Sequence, residues 1–338
     1  MIKTVEIQNF KSIKKLKLNA RRVNLFIGEP NTGKSNLLEA LGVFSILHTQ
    51  DLNFFLYIKD TLRFNKMYDL FFEEDIKNSP MVKIDGDVAL IYFSEGPFVL
   101  RLKFNKGETY KDTMFKPTGE PWGGSEAIFN LKGKYKEPPP IKFYRFAGSY
   151  KFPSSEPGFL LPPHGENLPV AILTNKRVRS FISEILEPFG LKLSIKQVEN
   201  EIEVLRAIED ITVSYPYNSV SDTLQRIIFY FAAMLSNKNS TLVLEEPEAH
   251  SFPFYTKFLA ERIGLDPNRN QYFITTHNPY FLISIVEKTK SSDLAVFVTY
   301  MRDYQTKVKA LNKSEIEQLL DYGSSVFFNI DRFLDREK

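Results

Sequence analysis

The hydrophobic pattern of the first fifty residues predicts strands followed by a helix. Apolar residues alternate with polar ones over 5–10 and again over 13–18, which is typical of two short strands. A largely apolar run at 23–27 predicts a third strand that leads into a glycine-rich turn. From Asn36 onward, apolar residues recur at the spacing of one helix face. Strand, loop and helix are therefore expected in that order.

The middle of the chain predicts a less regular arrangement. The aromatic segment 48–80 is expected to be helical, while many glycines and prolines over 105–140 indicate a loop or a small inserted lobe. A second proline-rich loop over 152–169 precedes a predicted helix at 170–186. Strand-like runs occupy 81–84, 88–93, 98–104, 141–146, 191–196, 201–206 and 211–215.

The last third alternates regularly between helical and strand patterns. The pattern predicts helices and strands in turn, at 221–235, 241–245, 252–264, 271–275, 279–287 and 294–301. This alternation indicates a parallel sheet covered by helices. Ser314 and Glu317 predict a capping box for a short final helix that ends at Gly323.

Composition narrows the class of protein. The chain has 338 residues, 43% hydrophobic and 25% charged, which is ordinary globular usage and excludes a disordered or fibrous chain. It contains no cysteine, so disulfides, thiolate metal sites and cysteine nucleophiles are excluded. The longest apolar run, 227–235, is less than half a membrane span, and the first residues lack a signal-peptide core. We expect a cytoplasmic protein that does not enter a membrane.

The positive charge is concentrated near the start of the chain. The net charge is only +3, too small to indicate nucleic-acid binding by itself. Six cations nevertheless fall within twelve residues: Lys11, Lys14, Lys15, Lys17, Arg21 and Arg22. They are consistent with an edge strand that carries lysines against aggregation, or with a surface that binds a phosphate backbone.

A phosphate-binding motif lies between the third predicted strand and the first predicted helix. Residues 28–35, GEPNTGKS, match G-x-x-x-x-G-K-[ST] in full. The two glycines let consecutive N–H groups turn toward phosphates, Lys34 reaches the β- and γ-phosphates, and Ser35 offers its hydroxyl to Mg²⁺. The predicted nucleotide-binding residues are Gly28, Glu29, Pro30, Asn31, Thr32, Gly33, Lys34, Ser35 and Asn36.

Two further motifs place polar groups at predicted strand ends. TLVLEEPEAH, from Thr241 to His250, is a buried strand that ends in Glu245 and Glu246. Successive side chains on a strand point to opposite sides, so one acid can serve a metal while its neighbour polarises water. QYFITTHNP ends a second strand at His277, which is suited to contact a γ-phosphate or the attacking water.

A fourth, weaker motif opens the helix predicted at 221–235. Ser221 and Asp222 are both good N-cap residues, which explains their presence without any other role. The same helix N-terminus could instead present a phosphate site to a nucleotide on another subunit.

The order and spacing of these four motifs resemble the ABC-type ATPase heads of the RecF, SMC and OLD families. The opening IQNFKSI resembles their first strand and turn, and LEEPEAH with TTHNP looks most like the OLD type. The resemblance implies an α/β P-loop NTPase fold of ABC/RecF-like type, with a mixed sheet, flanking helices and a smaller inserted lobe. Residues 1–338 would form one head, with its core from about 1–50 and 215–338 and the lobe at about 81–214.

The resemblance also implies a role for each motif residue. Lys34 and Ser35 take the Walker A roles, Glu245 the magnesium role and Glu246 the general base. His277 becomes the switch histidine and, by the same resemblance, Ser221 becomes the signature serine.

Three departures from the family pattern stand out. Glu245 replaces the usual aspartate, and Asp222 stands where a signature glycine is expected. No glutamine of a Q-loop can be assigned. The chain also ends before the Toprim nuclease domain of OLD proteins would begin, and it shows no coiled-coil arms.

The function implied by the resemblance is binding and hydrolysis of ATP with Mg²⁺ by a nucleotide-gated homodimer. Such a head would serve DNA repair, recombination or phage defence, together with DNA and a separate nuclease or effector protein. Two alternatives stay open: the ATP-driving subunit of a transporter, although no LSGGQ-like signature is found, and a regulatory nucleotide switch with little turnover. A GTPase is disfavoured because Asn175–Lys176 lacks the following aspartate.

Overall fold

The computed structural model describes residues 1–48, 54–104, 112–122, 140–148 and 151–334. Its strands are β1 (Thr4–Phe10), β2 (Ile13–Asn19), β3 (Val23–Gly28), β4 (Met81–Ile84), β5 (Asp87–Phe93), β6 (Phe98–Lys103), β7 (Asp112–Phe115), β8 (Ile141–Tyr144), β9 (Leu191–Lys196), β10 (Glu201–Ile208), β11 (Ile211–Pro216), β12 (Thr241–Glu245), β13 (Gln271–Thr275), β14 (Leu294–Arg302) and β15 (Gln305–Ala310). The helices are α1 (Lys34–Gly42), α2 (Phe54–Leu62), α3 (Leu168–Thr174), α4 (Lys176–Leu186), α5 (Asp222–Ser236), α6 (Pro253–Gly264), α7 (Pro279–Lys288) and α8 (Lys313–Tyr322).

A six-stranded sheet in the order β15-β14-β3-β13-β12-β8 forms the centre of the molecule. All its neighbouring strands pair in parallel except β14 and β15, which form an antiparallel pair. Every residue of β3 is buried, as expected for a strand covered on both faces. The predicted α/β fold with a mixed sheet and flanking helices is confirmed.

Alternate residues of β3 pack into two separate hydrophobic clusters. Leu25 belongs to the cluster that also contains the buried faces of α5, α6 and α7. Phe26 belongs to the cluster between the central sheet, α1 and the N-terminal strands, where its ring stacks on Phe297 with centroids 5.0 Å apart. Apolar packing on both faces therefore holds in place the strand that carries the glycine-rich turn.

Two antiparallel sheets complete the architecture. The first has the order β2-β1-β4-β5-β6-β7, and the second has the order β11-β10-β9. The segment 81–214, predicted as an inserted lobe, contributes strands to all three sheets, because β8 pairs with β12 in the central one. Most of the glycine-rich stretch 105–140 lies outside the described residues.

Several predicted elements differ in detail from the observed ones. The helix expected over 170–186 is two helices, because Asn175 ends α3 and caps α4 by accepting hydrogen bonds from the N–H groups of Arg177 and Val178. The final helix uses Asn312 and Glu315 as its capping box instead of Ser314 and Glu317. In the described part of 48–80, helix α2 is followed by short 3₁₀ turns. β15 was not predicted.

The basic residues near the start of the chain do not form one surface. β2 is the edge strand of its sheet, and its exposed side chains include Lys14, Lys15 and Lys17. Arg22 instead donates to the carbonyls of Ile263 and Gly264 at the end of α6. The structure thus confirms the predicted edge strand. It also shows that some cations lie exposed on that strand, whereas Arg22 binds another segment of the chain.

Within the described residues, no helix is long and apolar enough to cross a membrane.

Candidate functional site

The glycine-rich turn joins β3 to α1 and exposes the first N–H groups of that helix. Gly28 and Gly33 have φ angles of 153° and 86°, which non-glycine residues rarely adopt. A Cβ on Gly33 would lie 2.0 Å from the Thr306 hydroxyl oxygen, so glycine is also required by space. Helix α1 begins at Lys34 with no side chain capping its first N–H groups. These free donors and the helix dipole favour a bound phosphate.

The side chains of the turn have separate partners. Thr32 donates its hydroxyl to the Glu29 carbonyl at 2.8 Å, which closes the turn on itself. Asn36 donates its side-chain amide to the Ser12 hydroxyl at 2.7 Å. Glu29, Pro30 and Asn31 form the exposed crest of the turn.

Lys34 is folded back onto the turn that it follows. Its ammonium donates to the carbonyls of Gly28 at 2.9 Å and Glu29 at 2.6 Å, and the side chain is buried. Burial lowers the pKa of Lys34 to about 8, although the charges of Glu246 and Glu29 act in the opposite direction. When phosphates bind, their anionic oxygens would therefore take the place of two neutral carbonyls as the acceptors of Lys34.

Glu245 ends β12 and is held by two arginines. Its Oε2 accepts from Arg145 Nε at 2.6 Å, and its Oε1 accepts from Arg63 at 2.8 Å. The Ser35 hydroxyl lies beside the same carboxyl. Burial acts to raise the pKa of Glu245, but the two guanidinium groups outweigh it and the pKa lies below its ordinary value. Glu245 is therefore an anion at neutral pH.

The two arginines were not predicted from the sequence, and neither was Glu39. Arg63 follows α2 and also binds Glu39 of α1, a buried acid that Lys11 contacts at 2.6 Å. Arg145 directly follows β8, the neighbour of β12 in the sheet. The order of the strands could have placed Arg145 near Glu245, but no local pattern marks Arg63 or Glu39.

Glu246 follows β12 and has a different side-chain partner from Glu245. Its φ angle is 42°, and its N–H donates to the Thr275 carbonyl at 3.2 Å, which joins the ends of β12 and β13. The carboxyl Oε1 lies 3.3 Å from His277 Nε2, and both side chains are partly exposed. Burial and the Lys34 charge lower the pKa of His277, against the effect of Glu246, so the ring is neutral at pH 7.

Ser221 lies apart from this group. It is exposed and caps α5, accepting from the Leu224 N–H at 3.4 Å. Asp222, which was expected to be an alternative cap, pairs with Arg226 at 2.7 Å instead. In the described part of the chain, neither residue hydrogen-bonds to the turn at 28–36. The structure therefore brings together Lys34, Ser35, Glu245, Glu246 and His277 but not Ser221.

The donor set at the edge of the sheet fits Mg²⁺. Ser35 and Glu245 offer a hydroxyl and a carboxylate oxygen, the hard ligands that this ion prefers. Among the described residues, no group of three or more His, Cys, Asp or Glu side chains could hold a metal alone. This matches an ion that takes its remaining ligands from phosphates and water.

A P-loop before α1, two acids at the end of β12 and a histidine after β13 all meet at the carboxyl edge of one parallel sheet. This arrangement defines a P-loop nucleoside triphosphatase. Two parts of the chain match family models: residues 1–138 match "AAA ATPase domain", and residues 180–284 match "AAA domain, putative AbiEii toxin, Type IV TA system". Both models describe AAA domains, and the chain is a P-loop ATPase, an enzyme that uses ATP and Mg²⁺.

The chain is also similar to two curated proteins and to one solved structure. A Helicobacter pylori protein named "ATP/GTP phosphatase" is 22% identical over 361 residues. The alignment covers 93% of this chain and 93% of that protein. Protein MJECL10 of Methanocaldococcus jannaschii is 33% identical over 91 residues, which cover 25% of this chain and 40% of that protein. An SMC head crystallised with the C-winged helix domain of ScpA has a TM-score of 0.52 at 18% identity, covering 93% of this chain and 99% of that one. This last match shows a shared fold.

Proposed function

We propose that Glu246 is the general base for ATP hydrolysis in this enzyme. The observation that carries the proposal is the meeting of Lys34, Glu246 and His277 at one edge of the sheet, with 3.3 Å between Glu246 and His277. Glu246 takes a proton from water as the water oxygen bonds to the γ-phosphorus. The bond between that phosphorus and the oxygen bridging to the β-phosphate breaks, and ADP and inorganic phosphate leave.

The remaining site residues bind and orient the substrate. Lys34 and the free N–H groups at the start of α1 hold the phosphates. Ser35 and Glu245 hold Mg²⁺, which neutralises charge on the phosphate oxygens when bound. His277, neutral at pH 7, is placed to donate a hydrogen bond to the γ-phosphate or to hold the attacking water.

We further propose that the active form is a homodimer gated by ATP. Ser221 is exposed at the N-terminus of a fifteen-residue helix and is not bonded to its own P-loop, so it is available to a nucleotide on a second copy. The LEEPEAH and TTHNP motifs support an OLD-like role in DNA repair, recombination or phage defence. Such a role calls for DNA and for a separate nuclease or effector as partners.

Replacing Glu246 and Lys34 separately tests the site assignment. Glu246→Gln should keep ATP binding but slow turnover by about two to four orders of magnitude, the usual loss when acid–base catalysis is removed. Lys34→Ala should weaken ATP binding by about tenfold or more, because a charge-assisted hydrogen bond is lost. Steady-state phosphate release and titration with a fluorescent ATP analogue measure the two effects.

Glu287→Gln, an exposed residue of α7, is the matched control and should behave as the wild type. If Glu246→Gln hydrolyses ATP at the wild-type rate, Glu246 is not the general base.

A further inference from the structure

Glu248 is a buried acid in the middle of the catalytic loop that hydrolysis as described does not use. Its side chain is 3% exposed, and its Oε2 has no hydrogen-bond partner among the described residues. It lies three residues after Glu245, and no described lysine, arginine or histidine forms an ion pair with it. Burying a carboxyl group without a cation is unfavourable, so a purely structural position would be better filled by an apolar residue.

A short hydrogen bond to the Glu248 side chain connects the two catalytic loops. The Thr276 hydroxyl donates to Glu248 Oε1 at 2.5 Å. The same hydroxyl accepts from the Asn278 N–H at 3.0 Å, and the Thr276 N–H donates to the Phe26 carbonyl on β3 at 3.2 Å. Thr276 is therefore held from three sides, and it is the residue that immediately precedes His277.

We propose that Glu248 is a positioning residue that, through Thr276, holds the His277 loop against the Glu246 loop. The proposal rests on the catalytic roles proposed for Glu246 and His277. The backbone bond from Glu246 to Thr275, at the end of the paired strands β12 and β13, joins the same loops at one point. The Glu248–Thr276 bond supplies a second point, and two points together set the 3.3 Å approach of Glu246 to His277.

Glu248 performs this role as a neutral acid. Burial raises the pKa of Glu248 to about 8, and the charge of Glu246 adds to this, while hydrogen bonds from the Thr276 hydroxyl and from the backbone N–H groups of Glu248 and His277 act in the opposite direction. The titratable side chains that face it are Glu246 and, from α5, Tyr230. Below pH 8 the group is protonated, and above pH 8 it becomes a second anion beside Glu246.

The experiment compares Glu248→Gln, Glu248→Ala and Thr276→Val in the full chain. Glu248→Gln keeps a neutral acceptor for Thr276 and should retain kcat within about twofold, whereas Glu248→Ala and Thr276→Val should each lower kcat by about tenfold with KM for ATP unchanged. The double variant Glu248→Ala/Thr276→Val should be no slower than Glu248→Ala alone, because that single change already removes the bond to Thr276. ATP-analogue binding confirms that each variant is folded.

Two further measurements distinguish a positioning role of Glu248 from a contribution to the stability of the fold. At saturating ATP, the wild type should lose kcat above pH 8, and Glu248→Gln should remove the part of this loss that comes from Glu248. The His277 pKa, followed by NMR of the histidine Cε1–H, should change in Glu248→Ala and stay near the wild-type value in Glu248→Gln.

The proposal is overturned if Glu248→Ala keeps the wild-type kcat, or if the Glu248→Ala and Thr276→Val losses multiply. An unchanged His277 pKa in Glu248→Ala would also overturn it, and a Glu248→Gln variant as slow as Glu248→Ala would exclude the neutral-acid role. The NMR measurement needs no turnover. Failure of the Glu246 assignment would therefore be recognised separately, as wild-type hydrolysis by Glu246→Gln.

Discussion

Lys34 and Glu245 both have partners within the chain, and a nucleotide with Mg²⁺ must compete for them. Lys34 is bound to two backbone carbonyls, and Glu245 is bound to Arg63 and Arg145. Each exchange replaces one favourable contact by another, so the net gain on binding is smaller than the new contacts alone suggest.

The lowered pKa of Lys34 leads to a pH-dependent effect. With a pKa of about 8 in the ATP-free enzyme, Lys34 is partly neutral at pH 8, and phosphates raise its pKa again because they are anionic. ATP binding at pH 8 should therefore take up about half a proton at this site, and almost none at pH 6.5. Calorimetric titration in buffers of different ionisation enthalpy measures the uptake.

Lys34→Met removes the titrating group and serves as the control. If its proton uptake at pH 8 equals that of the wild type, the uptake belongs to another residue.

At the scale of single elements, the start of α5 carries an ion pair between Asp222 and Arg226 that was not predicted from the sequence. The carboxylate of Asp222 would repel a triphosphate bound by a second copy. Its pairing with Arg226 one turn later places a cation beside that acid and offsets part of the repulsion. Because Ser221 already caps the helix, Asp222 is not needed for that purpose.

We predict that Asp222 still weakens ATP-dependent dimerisation, but modestly. In the Glu246→Gln background, Asp222→Gly should raise dimer affinity by up to about tenfold, since removing one like charge near 4 Å is worth about 1 kcal/mol in water. Arg226→Ala should have the opposite effect, because it leaves Asp222 without its cation. Sedimentation velocity with and without ATP measures both.

An equal or weaker dimer in Asp222→Gly would show that Asp222 does not oppose association. Asp321→Gly, on the exposed face of α8, controls for the loss of one negative charge.

The regular elements of the last third were predictable because buried parallel strands read as continuous apolar runs and helices as 3.6-residue periods. β12 and β13 were predicted with their observed bounds. Of the two arginines on Glu245, Arg145 could have been placed only from the order of the strands. Arg63 was not predictable, because it lies 182 positions from Glu245 in sequence and no local pattern marks it. β15 was missed because its alternating lysines resemble a surface loop.

At the scale of the whole molecule, some of the N-terminal cations bind other segments of the chain, and others lie exposed on its surface. Lys11 binds Glu39, and Arg21 and Arg22 bind backbone carbonyls of later segments. Lys14 and Lys15 are exposed on the edge strand β2, and Lys17 pairs with Glu6 at its surface. Any phosphate backbone that the molecule binds here must therefore meet β2.

We predict that DNA binding, if it uses this surface, depends on Lys14, Lys15 and Lys17. Changing all three to Glu should abolish most low-salt binding without regard to sequence, and wild-type affinity should fall steeply with salt. Fluorescence anisotropy with duplex DNA at several salt concentrations measures both. Arg22→Glu is the control, because it should lower the melting temperature instead.

Absent binding at low ionic strength, or binding that does not change with salt, would leave the lysines only their role in keeping the edge strand soluble.

The central position of β3 has a consequence for how the chain folds during synthesis. β3 pairs only with β13 and β14, and Asn24 already reaches Tyr272, 248 positions later. The strands of the first antiparallel sheet all lie between Thr4 and Phe115, so that sheet can assemble early. The P-loop strand must wait with both edges unpaired until most of the chain has left the ribosome. The nucleotide site is therefore a late product of folding, and ATP stabilises only a chain that is nearly complete.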